Sequence, residues 1–232
     1  MMEILTCDRL SKSFGKCKAL DGVTLTVPSG RIVGLLGPNG SGKTTLIKLA
    51  NGLLTPQSGS VSVCGGLPDE NTRRLVSYLP ERTSIPLWMT ARQLMDFYAD
   101  FYEDFRRDVA EKMLSQLDVR AEQRIKHMSK GTREKVQLIM VMSRKAKLYI
   151  LDEPIGGVDP ATREYILSTI IGNYEPDASV LISTHLISDV ENVLDDVIFI
   201  NKGQVVLQSS VDAIREERGM SVDALFREVF RC

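Results

Sequence analysis

Apolar positions along this chain fall into short dense runs at both ends, with a central stretch where they recur at helical spacing. Residues 3–36 carry alternating and apolar runs, among them Leu20 to Val27 and Arg31 to Leu36, and read as β-strands. Residues 44–51 read as a helix stopped by Asn51-Gly52. Val61-Ser62-Val63, before Gly65-Gly66, and Val76 to Leu79 read as short strands. From Thr90 to about Leu117 the pattern is helical. Thr90-Ala91-Arg92-Gln93 is a capping-box start. Leu94, Phe97, Tyr98 and Phe101 follow at i, i+3, i+4, i+7, which assigns these aromatics to a core. Another helix is predicted from about Thr132 to Lys145, since Arg144-Lys145 suits a helix C-terminus. Strands return at Leu148 to Leu151 and Ser179 to Ser183. Between them a helix opens at Asp159-Pro160, an N-cap residue followed by proline at N1. Val197 to Ile200 and Gln204 to Leu207 read as a hairpin turning at Lys202-Gly203. The last twenty residues hold two short helical patterns. This alternation predicts an α/β fold, a mainly parallel sheet with helices on both faces, interrupted by a helical insertion at about 82–147.

Composition narrows the picture. A chain of 232 residues suits one domain, and at this size folding hides roughly 70–75% of the unfolded surface. Lys and Arg number 29 against 30 Asp and Glu, so no basic excess points to nucleic acid, and none is expected as a partner. Cys7, Cys17, Cys64 and Cys232 form no C-x-x-C pair, which fits free thiols in a reducing cytosol. Met1-Met2-Glu3-Ile4-Leu5 lacks the basic and apolar regions of a signal peptide. No run approaches ~18 consecutive apolar residues, so a membrane role is expected only through a partner.

Gly37-Pro38-Asn39-Gly40-Ser41-Gly42-Lys43-Thr44 fits G-x-x-x-x-G-K-[ST] in full, between the strand Ile32 to Leu36 and a helix. Glycines let backbone N–H groups converge on phosphates, and the helix N-terminus adds partial positive charge. Lys43 is expected to reach the β- and γ-phosphates, and the Thr44 hydroxyl to ligate Mg²⁺. An ordinary glycine-rich turn would not need both Lys43 and Thr44. The motif says nucleoside triphosphate, without naming the enzyme.

Leu148-Tyr149-Ile150-Leu151-Asp152-Glu153 is an apolar strand ending in two acids. In a phosphate-loop protein the neighbouring buried strand delivers an aspartate to the Mg²⁺ shell, which makes Asp152 the candidate. Glu153, where the chain turns, is then placed to accept a proton from the attacking water. Taken alone, the pair could equally be a strand terminated by solvated acids.

His127-Met128-Ser129-Lys130-Gly131-Thr132-Arg133-Glu134 lies between these two motifs. That order resembles the ATP-binding subunits of ABC transporters over nearly the whole chain. The family signature L-S-G-G-Q reads Met128-Ser129-Lys130-Gly131-Thr132 here; Ser129 and Gly131 match, while Lys130 and Thr132 depart. The resemblance implies that Ser129, Lys130, Gly131 and Thr132 meet the γ-phosphate bound by the other subunit of a dimer. It implies that Phe14 stacks on adenine, that Thr45 joins the phosphate-binding residues, and that Asp159, in Gly156-Gly157-Val158-Asp159, belongs to the loop crossing the dimer interface. His185, after Ser183-Thr184, resembles the switch histidine that senses γ-phosphate and steadies Glu153. Glu81, in Leu79-Pro80-Glu81, stands where the family usually has a glutamine that touches Mg²⁺ and the attacking water. Glu81 still offers oxygen to a hard cation but adds negative charge. Glutamate there looks like an export-type subgroup that includes peptide-antibiotic resistance systems.

The fold implied is a P-loop NTPase core with a mainly parallel sheet, an N-terminal antiparallel β subdomain and an inserted α-helical subdomain. It forms one ABC ATPase domain over 1–232. Residues 1–81 and 148–210 make the core lobe, 82–147 the helical lobe, and 211–232 a helical tail. The implied activity is hydrolysis of ATP, with Mg²⁺, by a subunit that pairs head to tail with a second ABC ATPase and drives a transmembrane permease. Its implied location is the cytoplasm, peripheral on the inner membrane face. Ile85, Leu87 and Trp88 are candidates for the groove that receives the permease, although they could simply pack the lobe. A GTPase reading fails because Asn201-Lys202-Gly203-Gln204 lacks the aspartate of N-K-x-D. The motifs leave open a soluble ABC ATPase with an assembly or scaffold role.

Overall fold

A computed structural model describes residues 3–175 and 177–230; Cys232 and the Met1-Met2 start lie outside the described residues. Two sheets organise them. β1 (Glu3–Phe14), β2 (Cys17–Pro28) and β4 (Ser58–Val63) form an antiparallel sheet in the order β2-β1-β4. The second sheet combines β3 (Ile32–Leu36), β5 (Val76–Leu79), β6 (Leu148–Asp152), β7 (Ser179–Thr184), β8 (Asp196–Asn201) and β9 (Gln204–Ser210). Its order is β5-β6-β7-β3-β8-β9, parallel except for the β8–β9 hairpin.

Every residue of β3, β6 and β7 is buried. Near-continuous apolar strands are what a parallel sheet covered on both faces requires. Successive side chains serve different cores, as strand alternation demands. Leu36, Tyr149, Leu151 and Ile182 join the core beneath α5 (Lys130–Met142), α6 (Pro160–Asn173) and α9 (Val222–Phe230). Val33, Leu35, Ile150 and Leu181 join the core shared with α1 (Lys43–Ala50) and the antiparallel sheet. A third core, with Leu94, Met113, Ile125 and Met140, belongs to the central helices.

Several boundaries differ from the sequence expectation. The helical pattern at 90–117 splits into α3 (Ala91–Phe101), begun by the Thr90–Gln93 capping box, and α4 (Arg107–Gln116). Leu94 is buried, but Phe97 and Phe101 face solvent at 37% and 68% exposure, so these two aromatics are not core. Two short helices, α2 (Glu70–Arg74) and α7 (Ile187–Val190), were not predicted; α8 (Val211–Arg218) and α9 are the two helices expected at the end.

α5 begins at Lys130 and stops at Met142, two residues earlier and three residues earlier, respectively, than the pattern suggested. Ser129 starts it: its hydroxyl accepts from the Thr132 amide at 3.1 Å. Arg144 does not extend it because tertiary partners capture the side chain. Its guanidinium is buried, pairs with Asp104 at 3.0 Å, donates to the carbonyls of Val76 and Arg74, and lies 3.8 Å from the Tyr102 ring. Arg106 makes a parallel tie to Glu175 at 2.7 Å and to the carbonyls of Met142 and Asn173. Together they fasten the loop between α3 and α4 to the sheet.

Removing one partner of a buried charge pair leaves the other uncompensated. Arg144→Ala is therefore expected to cost about 3 kcal/mol of stability, read as a lower urea midpoint. A midpoint equal to that of the parent chain would show that this buried cluster adds nothing.

Candidate functional site

Strand order creates the site. β3, β7 and β6 are neighbours, and their register leaves Leu36 beside Thr184 and Asp152 beside Ser183. The segments that follow them emerge side by side at the carboxyl ends of the strands, where open α/β sheets hold ligands. These segments are the loop 37–43, His185 and Glu153.

The loop after β3 is tightly built. A Cβ on Gly37 would lie 2.2 Å from the Ile200 carbonyl oxygen, so only glycine fits. Gly42 adopts φ +114°, a glycine conformation, and a Cβ there would lie 2.6 Å from the Ala19 carbonyl oxygen. Lys43 opens α1 with its side chain buried. Its Nζ donates to the Gly37 carbonyl at 2.8 Å and to the Pro38 carbonyl at 3.4 Å. Asn39 through Thr45 line a cleft together with Cys17, Lys18, Glu81 and Glu153.

Asp152 is 1% exposed at the end of β6, and Thr44 Oγ1 donates to its Oδ1 at 3.4 Å. Its Oδ2 is buried without a hydrogen-bond partner. Burial raises the Asp152 pKa against the opposing pull of the Ser183 and Thr44 hydroxyls, and the nearby Glu153 and Glu81 carboxylates add to the rise. Tyr78, on β5, feels the same field: burial first, then Asp152 and Glu81, push its phenol up to about 12. Glu153 follows in a left-handed conformation, φ +50°. For a non-glycine residue this is uncommon and concentrates at functional sites. Its amide still donates to the Ser183 carbonyl at 2.8 Å, which fixes where the turn occurs. The carboxylate then lies between Lys43 Nζ at 3.4 Å from Oε1 and His185 Nδ1 at 3.0 Å from Oε2. An ionised carboxylate only accepts, so Nδ1 carries the proton of this bond.

Glu81 is exposed and borders the same space. One cleft joins it to Asp152, Glu153 and Gln137; another joins it to Asn39, Lys130, Glu153, Gly157 and His185. Ser129, Gly131, Thr132, Phe14 and Asp159 do not line the clefts around Lys43 and Glu153. Ser129 caps α5 and shares a 2.8 Å hydrogen bond with the Thr132 hydroxyl. Asp159 caps α6, accepting from the Thr162 hydroxyl at 2.7 Å and the Thr162 amide at 3.0 Å; these bonds hold its carboxyl below the usual range. Phe14 is half exposed at the end of β1, opposite Cys17 in the hairpin, with Lys12 Nζ 5.8 Å from its ring centre. Phe14 is thus not part of the core. The same holds in reverse for Ile85, which is buried in the central helical core, whereas Leu87 and Trp88 are exposed.

One residue lining the site escaped sequence reasoning. Gln137 is 3% exposed on α5, and its Oε1 accepts from the Ser84 amide at 2.9 Å. It ties the loop after Glu81 to the helix that Ser129 caps. The only signal was a glutamine inside the apolar run Val136 to Met142.

The residues fit a nucleoside triphosphate with Mg²⁺. Mg²⁺ keeps several waters and takes one or two protein oxygens beside substrate phosphates. A buried, unpartnered Asp152 Oδ2 next to the Thr44 hydroxyl offers such oxygens. Among the described residues no larger His, Cys, Asp or Glu cluster competes for a metal. None of their helices is long and apolar enough to cross a membrane.

Comparison with known proteins agrees with this geometry. The family described as ABC transporter matches residues 20–156. An uncharacterized ABC transporter ATP-binding protein of Bacillus subtilis, YhaQ, is 31% identical over 93% of this chain and 74% of its own length. The SkfA peptide export ATP-binding protein SkfE, from the same organism, is 29% identical over 93% of both chains. A solved structure described as the ATP-binding subunit of an ABC transporter superposes with a TM-score of 0.88 at 29% identity, covering 98% of this chain and 99% of the other. A phosphate loop followed by a carboxylate pair is common to many nucleotide-binding folds, but a match this long is not, and the chain belongs to the ABC transporter family as one of its ATP-binding subunits.

Proposed function

We propose that this subunit hydrolyses ATP with Glu153 as general base, in a head-to-tail dimer that drives an export-type permease. The observation that carries the chemistry is the Glu153 carboxylate held between Lys43 Nζ and His185 Nδ1 at the end of β6. Gly37 to Thr45 cradle the phosphates, and Phe14 offers an exposed ring for adenine. Thr44 and Asp152 would hold Mg²⁺, with Glu81 as a further oxygen. When bound, the ion supplies positive charge against the phosphate oxygens. Glu153 takes a proton from water as the water oxygen bonds to the γ-phosphorus. The bond to the β-phosphate oxygen breaks, leaving ADP and phosphate. His185 keeps the carboxylate oriented through its Nδ1–H.

Support for a dimer comes from Ser129, Lys130, Gly131 and Thr132. They begin a 13-residue helix whose N-terminus suits an anion; Ser129 and Lys130 are exposed, and of the four only Lys130 lines a cleft shared with Glu153. Asp159 would meet the second subunit nearby. Export is supported by the resemblance to SkfE, whose name specifies peptide export. A permease would dock from the cytoplasmic side, placing the chain on the inner membrane face. The exposed Leu87 and Trp88, in the turn before α3, and Phe97 and Phe101 on α3 support that contact. We assign 1–81 and 148–210 to the core lobe, 82–147 to the helical lobe and 211–232 to the tail.

Three outcomes follow from this reading. Glu153→Gln keeps the shape and loses proton acceptance, so turnover should fall by roughly 10²–10⁴ while ATP binding persists. The variant should elute as an ATP-bound dimer on size exclusion. Turnover like the parent's would remove Glu153 as the base.

Asp152→Asn should abolish hydrolysis yet raise the thermal midpoint measured with neither nucleotide nor Mg²⁺ present. Ionising a carboxyl whose folded pKa is raised destabilises the fold at pH values above that pKa. The cost vanishes as pH falls below the unfolded value of about 3.9. The gain in midpoint should therefore be present at pH 7 and disappear in acid. A gain that is independent of pH would contradict the burial argument.

Trp88→Glu should leave ATP hydrolysis by the purified chain unchanged and reduce recovery of a membrane protein co-purified from solubilised membranes. Equal recovery with both chains would count against this docking surface.

A further inference from the structure

Arg163 lies in the first turns of α6, yet it grips both the segment that follows Glu153 and the segment that follows His185. Its Nη1 donates to Asp189 Oδ2 at 2.7 Å, and its Nε donates to the Val158 carbonyl at 3.2 Å. Val158 ends the loop that starts at Glu153. Asp189 belongs to α7, the helix that follows His185. With the His185–Glu153 hydrogen bond, the chain thus closes a ring: Glu153, the loop to Val158, Arg163, Asp189, α7, His185 and back to Glu153.

Part of the loop in this ring has no side chain to hold it. Gly156 and Gly157 carry no side chain to pack, and Gly157 sits at φ +70° with open space where a Cβ would be. Glycine gives a loop maximal backbone freedom. Within the loop, the Gly156 amide donates back to the Glu153 carbonyl at 3.1 Å. Beyond it, Asp159 caps α6, and Arg163 fixes the carbonyl just before that cap. Ile155 anchors the first half of the loop in the core, and Ile187 and Val190 anchor α7 in the same core. Beyond these anchors, one guanidinium ties the glycine half of the loop to α7. Both bonds use the fixed fork of donors that arginine has and lysine lacks.

We propose that Arg163 is a positioning residue for hydrolysis, holding the Glu153–His185 pair in register through Val158 and Asp189. It touches neither nucleotide nor reacting atoms. The inference rests on the proposed ATPase reading, and its test carries one readout that does not.

The chain has two histidines, His127 and His185, so ring proton resonances distinguish them. His127 lies in the turn of 3-10 helix at Ile125–His127 and serves as the internal reference. Arg163→Ala and Arg163→Lys are each expected to lower kcat roughly ten- to a hundredfold, the scale of a misplacement near 1 Å, with KM for ATP little changed. The His185 resonance should move in both variants while that of His127 stays. Asp189→Ala should do the same, and the double variant Arg163→Ala/Asp189→Ala should be no worse than either alone, because the two residues act through one contact. If lysine restores kcat, if the single losses add, or if His185 does not move, the positioning role is overturned. If the parent chain itself shows no ATP hydrolysis, the ATPase reading fails, and the His185 spectrum alone decides whether Arg163 orders that loop.

Discussion

Three parallel strands that end level with one another are the constraint on which the remainder depends. Pairing of β3 with β7, and of β7 with β6, aligns Leu36 with Thr184 and Asp152 with Ser183. A one-residue slip would exchange the two faces of a strand. Tyr149 and Leu151 would then leave the core under α5 and α6, and Ile150 would leave the core shared with α1. Hydrophobic alternation on two packed faces thus fixes the height of each strand end, and the strand ends fix the chemistry. Lys43, Asp152, Glu153 and His185 come from three separate stretches of sequence. They meet because their strands are neighbours.

That meeting is costly to the fold. Asp152 is buried with one unpartnered oxygen, the Ser41 hydroxyl is buried without a partner, and Glu153 occupies a left-handed conformation. Each feature opposes folding, and none adds to packing. Lys43 offsets part of the negative charge, but its ammonium is already shared between two carbonyls and Glu153. Strain and unmet polarity of this kind persist only where the surroundings over-determine them. Here the surroundings are the fully buried strands on either side. The same features give a phosphate-bearing ligand and a hard cation their opportunity, since each supplies partners that the protein lacks.

Legibility in the sequence followed the distance between partners. Gly37 to Thr44 is contiguous, so its chemistry could be read directly. The apolar runs of β3, β6 and β7 could be read because burial on both faces leaves their middles apolar. Caps at Thr90, Ser129 and Asp159 are local, and the helices they open begin within two residues of where the pattern put them. What could not be read depends on partners far along the chain. Arg144 looked like a helix end because its partners, Asp104, Arg74 and Val76, lie well upstream. Gln137 gave no sign of its bond to Ser84. The periodicity that placed Leu94 in a core also placed Phe97 and Phe101 there, because spacing marks a face and does not say how far the neighbouring element covers it. α3 ends with that face only partly covered, which leaves the two rings 4.6 Å apart against solvent.

The ties between the central helices and the sheet are uneven, and this bears on how ATP chemistry would reach the exposed rings. At one edge Arg144 and Arg106 bind the α3–α4 loop to Asp104, Glu175 and several carbonyls. At the other edge, beside the phosphate site, the loop after Glu81 is held to α5 by the Gln137–Ser84 bond. Between these places α5 is fixed to the sheet directly, since the Ser77 hydroxyl of β5 donates to the Val141 carbonyl at 2.8 Å and Leu138, Val141 and Met142 join the core. Glu81 lines the same cleft as Asp152, Glu153 and Gln137. On the proposed reading, a change of charge at the γ-phosphate position would act on the loop that Glu81 begins. Leu87 and Trp88 follow that loop directly, so it joins the nucleotide site to the docking surface.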